Sequence, residues 1–200
     1  QSAQVSGASP LLDFTLLVSF IDPDLRHVSN GGNVENVNGY DIVFTQDDCL
    51  SNLSHQIEKY DPLTGEYVAW VKIPSLSPSV DMKVGMSYGN NTVVNNPSTS
   101  LAWGSNAAAI YHLSNNDFSD ATSNGMNAAN FSTTNVTGQI GDARNFNGTG
   151  GYLNVSESGT TSLDLVELTM SAWIFPTDYD VISDRGIIIN KESTYEMGLQ

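Results

Sequence analysis

The 200-residue chain has a single cysteine, Cys49. No disulfide can form within it, and no cysteine-based zinc site can be built. Asp47 and Asp48 precede that thiol, and neighbouring negative charge disfavours the thiolate that a nucleophile needs. Basic residues are scarce: 7 Lys and Arg stand against 22 Asp and Glu, for a net charge of −15. Such a surface repels a nucleic-acid backbone, which argues against a nucleic-acid partner. No apolar run approaches the roughly 18 residues of a membrane-spanning helix. The longest, 14–21, is strand-length, so no direct membrane insertion is expected. A basic segment followed by an apolar stretch is missing at the N-terminus, and no signal peptide is read there. His27, His55 and His112 lie far apart without zinc-ligand spacing. Neither a glycine-rich phosphate loop nor a basic patch is found.

What the chain does have is a supply of Ser, Thr, Asn and Gly around short apolar runs. Asn and Gly accept the left-handed backbone that tight turns require. The runs 11–21, 40–44, 55–60, 66–73 and 81–88 lie between turn signals, and several alternate with period two. In Asp61-Pro62-Leu63-Thr64-Gly65, the proline suits the second turn position and the glycine closes it. A hairpin pairing 55–60 with 66–73 follows. The stretch 89–100 is poor in large apolar residues and places a boundary near residue 97. Beyond it, strands are predicted over 107–113, 141–146, 151–155, 168–175, 185–190 and 195–199. The turn Asn147-Gly148-Thr149-Gly150 would join the second and third of these as a hairpin, and 115–130 would be a long polar loop. No helical period competes. The fold class read from this is all-β, with two jelly-roll-like β-sandwich modules over 1–96 and 97–200.

Particular residues carry two resemblances. Asp13-Phe14, Asn38-Gly39-Tyr40-Asp41-Ile42-Val43-Phe44-Thr45, His55 to Asp61, Val68 to Pro74 and Ser87-Tyr88-Gly89-Asn90 resemble a bacterial domain-of-unknown-function family, the one numbered 2341. That resemblance implies a β-sandwich in a secreted or cell-envelope protein and no established activity. From Ile110 the chain resembles the laminin-G/concanavalin A-like jelly roll, through Tyr111-His112-Leu113, Asp120 with Asn124-Gly125-Met126-Asn127, Ala143-Arg144-Asn145-Phe146-Asn147-Gly148 and Leu168 to Ile174. A complete domain of that kind is longer, so the second module is expected to be incomplete. Its open strand edges could pair with other copies of the chain.

The polar loop 117–130 offers Asp117, Asp120, Asn124 and Asn127, with Gly125 letting the chain fold back. Calcium takes six to eight oxygens of carboxylate, amide and carbonyl type. The jelly-roll resemblance implies a structural Ca²⁺ here, held by Asp120 and the carbonyls near Asn124; a solvated loop explains the same residues. Trp70, Trp103 and Tyr111 are candidates for glycan contact, because flat sugar faces suit aromatic rings, although strand aromatics also fill cores. Glycosidase chemistry needs two carboxyls at fixed separation. Glu58, Glu66, Glu157, Asp164 and Glu167 form no strand motif of that kind.

The sequence therefore points to a non-catalytic adhesion or recognition module, secreted or on the bacterial cell surface, that binds glycan or a partner surface. An accessory domain of a polysaccharide-degrading enzyme and a stalk or fibre subunit assembled by strand pairing are the alternatives.

Overall fold

A computed structural model describes residues 2–156, 163–177 and 186–199. The described chain is all-β: short antiparallel sheets, with helical structure limited to single 3₁₀ turns. Two compact units divide it, Gln1–Ser156 and Glu157–Gln200.

The first unit is built on a three-stranded sheet. Strand β1 (Leu11–Ile21) pairs antiparallel with β4 (Glu66–Leu76), which pairs antiparallel with β3 (His55–Asp61). The hairpin expected from alternation is thus present, and its turn works as its composition requires. Asp61 accepts from the Leu63 amide at 2.9 Å and the Thr64 hydroxyl at 2.8 Å, and the Gly65 amide closes on the Asp61 carbonyl at 2.9 Å. Gly65 has φ +76°, and a Cβ there would lie 2.0 Å from the Asp22 carbonyl oxygen, so only glycine fits. β3 carries a bulge between Ile57 and Lys59. The bulge gives Glu58 a place outside the paired register.

One face of this sheet makes the core. Tyr67, Ala69, Val71 and Ile73 of β4 are buried, and Leu16, Val18 and Phe20 of β1 pack beside them. Opposite lie Phe44 of β2 (Val43–Thr45) and Met86 of β5 (Gly85–Ser87), which pair antiparallel as a second, two-stranded sheet. Leu25, Val34, Ile42 and Leu53 fill the rest. This is sandwich packing, two apolar faces closed on one another. His55 sits at its edge, buried, with its ring edge-on to Phe44 at 5.3 Å. Burial holds its pKa below the ordinary value near 6.5.

The sign of the pH dependence follows. Folding disfavours the charged His55 ring, so its stability contribution is intact above the unfolded value of about 6.5 and is lost as pH falls through the lower folded value. Urea unfolding followed at stepped pH is expected to show a decline beginning below about 6.5. A second decline below about 4, the ordinary aspartate range, follows from the hydrogen-bonded aspartates described below. A His55→Phe variant should remove the first decline; its persistence there would assign it elsewhere.

The opposite face of the sheet is not left to water. The segment after residue 97 runs over it, so the first compact unit continues past that expected boundary to Ser156. Ser98 accepts the Ile57 amide at 2.9 Å, and the Thr99 amide reaches the His55 carbonyl at 3.0 Å, together satisfying the open edge of β3. The Thr15 hydroxyl of β1 donates to the Ala102 carbonyl at 3.0 Å. These contacts come from the Ser98 hydroxyl and the Thr99 and Ala102 backbone, and 107–113, further along, forms no strand ladder where one is expected.

A long antiparallel arm completes the unit. β7 (Thr134–Thr137) pairs with β8 (Asp142–Asn145), and outside them β6 (Ala128–Phe131) pairs with β9 (Tyr152–Val155). The arm closes at residues 138–141, where the Gly138 amide donates to the Gly141 carbonyl at 3.0 Å. The Asn147-Gly148 signal is therefore not a hairpin turn. It is an outward loop in one arm, folded on Asn147 Oδ1, which accepts from the Thr149 and Gly151 amides at 3.0 Å each. Buried Arg144 fastens the arm to the preceding loop, donating to Thr133, Asn116 and Asn135 with its guanidinium 5.0 Å above the Phe118 ring.

In the second unit, β10 (Gly186–Lys191) and β11 (Tyr195–Leu199) form an antiparallel pair with a bulge between Ile187 and Ile189. Lys191 bridges Asp164 at 3.1 Å, and the Tyr195 hydroxyl donates to the Leu163 carbonyl at 3.0 Å. Residues 168–175, expected as a strand, form no ladder among the described residues. A strand needs a hydrogen-bonded neighbour, and none of the described residues pairs with this run. Trp173 is 77 % and Phe175 90 % exposed.

Candidate functional site

The covered face of the sheet holds a network that starts with Trp70. Its indole stands on β4 facing Trp103, ring centroids 5.3 Å apart, with the His112 ring 6.5 Å from Trp70 and 5.8 Å from Trp103. Aromatic faces account for the stacking, but each indole N–H also needs an acceptor when water is excluded. Two β3 side chains supply them. Glu58 Oε2 accepts from Trp70 Nε1 at 2.8 Å, and Gln56 Oε1 accepts from Trp103 Nε1 at 2.8 Å. His112 bridges the same two groups: its Nδ1 pairs with Glu58 Oε2, and its Nε2 lies 2.9 Å from Gln56 Oε1. Ser114 adds a longer donation to Glu58 Oε1 at 3.4 Å.

The donor and acceptor roles in this network are constrained. An indole nitrogen only donates, so Trp103 fixes the Gln56 amide with its oxygen inward. That oxygen can meet His112 Nε2 only if the ring carries a proton there. His112 Nδ1 faces a carboxylate oxygen that already accepts from Trp70. One proton on Nε2 and one between Nδ1 and Glu58 Oε2 satisfy every member of the network. The Glu58 side chain is only 2 % exposed and that of His112 22 %, so the carboxylate is sealed while the imidazole edge reaches the surface.

At that edge lies a cleft of about 210 Å³. Gln56 and His112 line it from the network, Ser98, Thr99 and Ser100 as a first wall, and Asp117, Ser119, Asp120, Ala121 and Thr122 as a second. The Ser98 and Thr99 hydroxyl oxygens accept from the Ile57 and Leu101 amides at 2.9 and 3.2 Å, which leaves their protons free to donate into the cleft. Asp117 Oδ1 accepts the Ser119 amide at 2.9 Å, and this bond, joined by one from the Ser119 hydroxyl, holds the Asp117 carboxyl below the ordinary aspartate range. The second wall is thus an ionised acceptor, and the first a row of donors.

The residues expected to hold calcium are near one another but turned to another task. Asp120 is buried; its Oδ1 accepts from the Ile110 and Thr122 amides at 3.0 and 2.9 Å, its Oδ2 from the Thr122 hydroxyl and Met126 amide at 2.8 and 3.1 Å. Burial raises its pKa, and these bonds outweigh burial and bring it below the usual value. Asn127 Oδ1 accepts the Asp120 amide at 2.9 Å. Asn124 turns its Nδ2 donor to the Ala107 and Ala108 carbonyls at 3.1 and 2.9 Å. The Asp120 and Asn127 oxygens a cation would take are spent on N–H and O–H donors, and among the described residues no group of three or more His, Cys, Asp or Glu gathers. The donor set does not fit Ca²⁺. Asp120→Ala should cost about 3 kcal/mol, the loss of several charge-assisted bonds in a buried loop. The loss should be the same in EDTA and in millimolar calcium. A melting temperature restored or raised selectively by calcium in the wild type would reverse this assignment.

Of the three aromatic candidates, Trp70 and Trp103 meet in the network but support the cleft from behind rather than lining it. Tyr111 is separate, its hydroxyl donating to the Met126 carbonyl. The carboxyls considered for hydrolysis do not pair: Glu58 is sealed in the network, Glu66 bridges Lys59 at 2.8 Å, and Asp164 bridges Lys191 in the second unit. Glu157 lies outside the described residues. The residues that sequence reasoning missed are Gln56 and Glu58 as acceptors and His112 as their link. The available signal was a polar Gln-x-Glu pair on the strand facing a tryptophan, whose indole must find an acceptor.

Residues 38–127 match the model of a domain of unknown function (DUF2341). The match takes in β2 to β5 and also the covering segment with His112, Asp117 and Asp120, so the network and cleft fall inside it. No curated protein and no solved structure matches the chain.

Proposed function

We propose that the chain is a non-catalytic recognition module that binds a sugar residue of a cell-surface or extracellular glycan in the cleft beside His112. The observation that carries this reading is the division of the cleft walls. Hydroxyl donors come from the 98–100 stretch and a carboxylate acceptor from the 117–122 stretch, with an amide and an imidazole from the network. A sugar ring presents alternating oxygens and O–H groups and pairs with both. The size agrees: about 210 Å³ is smaller than the roughly 300–1,000 Å³ of sites for drug-sized ligands, suiting one ring of a chain that continues into solvent. Binding without hydrolysis is favoured because Glu58 behind the cleft and Asp120 on it both have their oxygens engaged, which leaves Asp117 without a second free carboxyl to work with. The extracellular setting rests on the family resemblance.

The test is binding of the purified protein to an array of oligosaccharides, with Gln56→Ala and Ser100→Tyr alongside. Wild type should bind, and both variants should lose at least about tenfold in affinity, about 1.4 kcal/mol. Ser100→Tyr, which fills the cleft from its rim, should retain the wild-type melting temperature. Binding that persists in Ser100→Tyr, or release of reducing ends on incubation, would sink the reading.

A further inference from the structure

We infer that the cleft selects uncharged sugars and rejects uronates and sulfated sugars, with Asp117 as the residue that sets the discrimination. This rests on the sugar-binding reading above and adds the ligand's charge to it. Every basic group near the site is already committed. The His112 ring faces Glu58 through Nδ1 and Gln56 through Nε2. Lys59 bridges Glu66 at 2.8 Å, and Lys72 bridges Asp13 at 2.9 Å. Arg144 is buried, its guanidinium spread over Thr133, Asn116 and Asn135. No Lys or Arg lines the cleft. The charges on its lining are two carboxylates, Asp120, buried and spent on hydrogen bonds, and Asp117, exposed and drawn only to the His112 ring, set in a chain of net charge −15.

A carboxylate or sulfate on the ligand would therefore meet like charge, while the one ring that could oppose it, His112, is already held by Glu58, and close like charges across an interface act against the wrong partner. An uncharged ring meets no such barrier. Its hydroxyl oxygens accept from Ser98, Thr99 and Ser100, and one of its hydroxyl protons goes to Asp117, a charge-assisted bond of the stronger kind. Asp117 thus serves twice, as acceptor for the ligand admitted and as repulsion for the ligand refused.

The experiment is calorimetric titration of the full chain, at about 20 and 150 mM salt, spanning weak and strong screening. The probes are neutral gluco-, galacto- and manno-oligosaccharides, set against oligogalacturonate and sulfated disaccharides. The inference expects at least one neutral series to bind at least tenfold more tightly than either acidic one. The gap should narrow at the higher salt, and Asp117→Asn should reduce it below about threefold, weakening the neutral ligand and admitting the acidic one. Should Asp117→Asn not fold, the salt dependence of the wild type still decides. Acidic ligands bound as tightly as neutral ones, with Ser100→Tyr abolishing both, would overturn the inference while leaving the sugar-binding reading intact. No binding of any oligosaccharide would remove both.

Discussion

Glu58→Ala should destabilise the first unit by about 3–5 kcal/mol, the range for stripping one partner from a buried ion pair. Three groups lose their acceptor at once: the Trp70 indole, the His112 ring and the Ser114 hydroxyl. A truncated side chain leaves a sealed space that alanine cannot fill, and an indole and an imidazole whose polar edges have nothing to face. Glu58→Gln is expected to be milder, because an amide oxygen still serves the indole. The mechanism makes a further demand. In the His112→Ala background the added cost of Glu58→Ala should shrink by at least about 1 kcal/mol, since contacting residues are not additive. Denaturant unfolding of the four proteins closes the cycle. Equal costs in both backgrounds would show that the two residues do not act as a pair.

A comparable loss is expected at a second buried carboxylate. Asp41 is 2 % exposed and organises the loops that cap the sandwich. It accepts from the Glu35 amide at 2.9 Å, the Asn36 amide at 3.0 Å and the Gly89 amide at 2.9 Å, joining segments nearly fifty residues apart. Asp41→Ala takes the acceptor from three part-buried backbone N–H groups at once, and a cost of about 3 kcal/mol follows from the penalty per unsatisfied donor. Asp41→Asn keeps the acceptor oxygen on one side and turns an N–H donor towards amide donors on the other, so it should rescue only part of the loss. Thermal melting of the two variants against wild type measures this; an Asp41→Asn protein as stable as wild type would mean that the amide donors are satisfied another way.

How far the sequence disclosed this structure differs from region to region, for physical reasons. β3, β4 and their turn were readable because each side chain's role is local: alternation sets the face, and Asp61, Thr64 and Gly65 close the turn with bonds to near neighbours. The arm from β6 to β9 was misread. Asn147-Gly148 carries the composition of a hairpin turn, yet β6 and β7 upstream claim β9 and β8 as partners and leave that dipeptide as an outward loop. Short polar strands such as Thr134–Thr137 have no apolar rhythm to reveal them. Residues 168–175 do have that rhythm, and it fails for the opposite reason, since alternation provides a strand with a face but not with a neighbour.

The loop 117–130 was legible as a place where oxygens converge, which is correct. Composition alone does not say whether they converge on a cation or on backbone amides, and here they take amides. The site itself was hidden by sequence distance. Gln56 meets His112, and Glu58 meets Ser114, across 56 residues, over a bulge that sets Glu58 outside the period of its strand. A boundary drawn at residue 97 separates the two halves of that network. The weak apolar content of 89–100 suggested a linker, but this stretch instead leads into residues whose backbone completes the edge of β3.

The central claim is that the covering segment and the sheet together form a ligand site at the cleft. Backbone amide shifts of ¹⁵N-labelled protein, followed while a neutral oligosaccharide that binds on the array is titrated in, test it most directly. The account predicts that the largest changes fall on Gln56, Ser98 to Ser100, His112 and Asp117, moving together along one saturating curve. Changes confined to the exposed stacked pair Phe131 and Tyr152, or spread evenly over the surface with the cleft residues still, would contradict it.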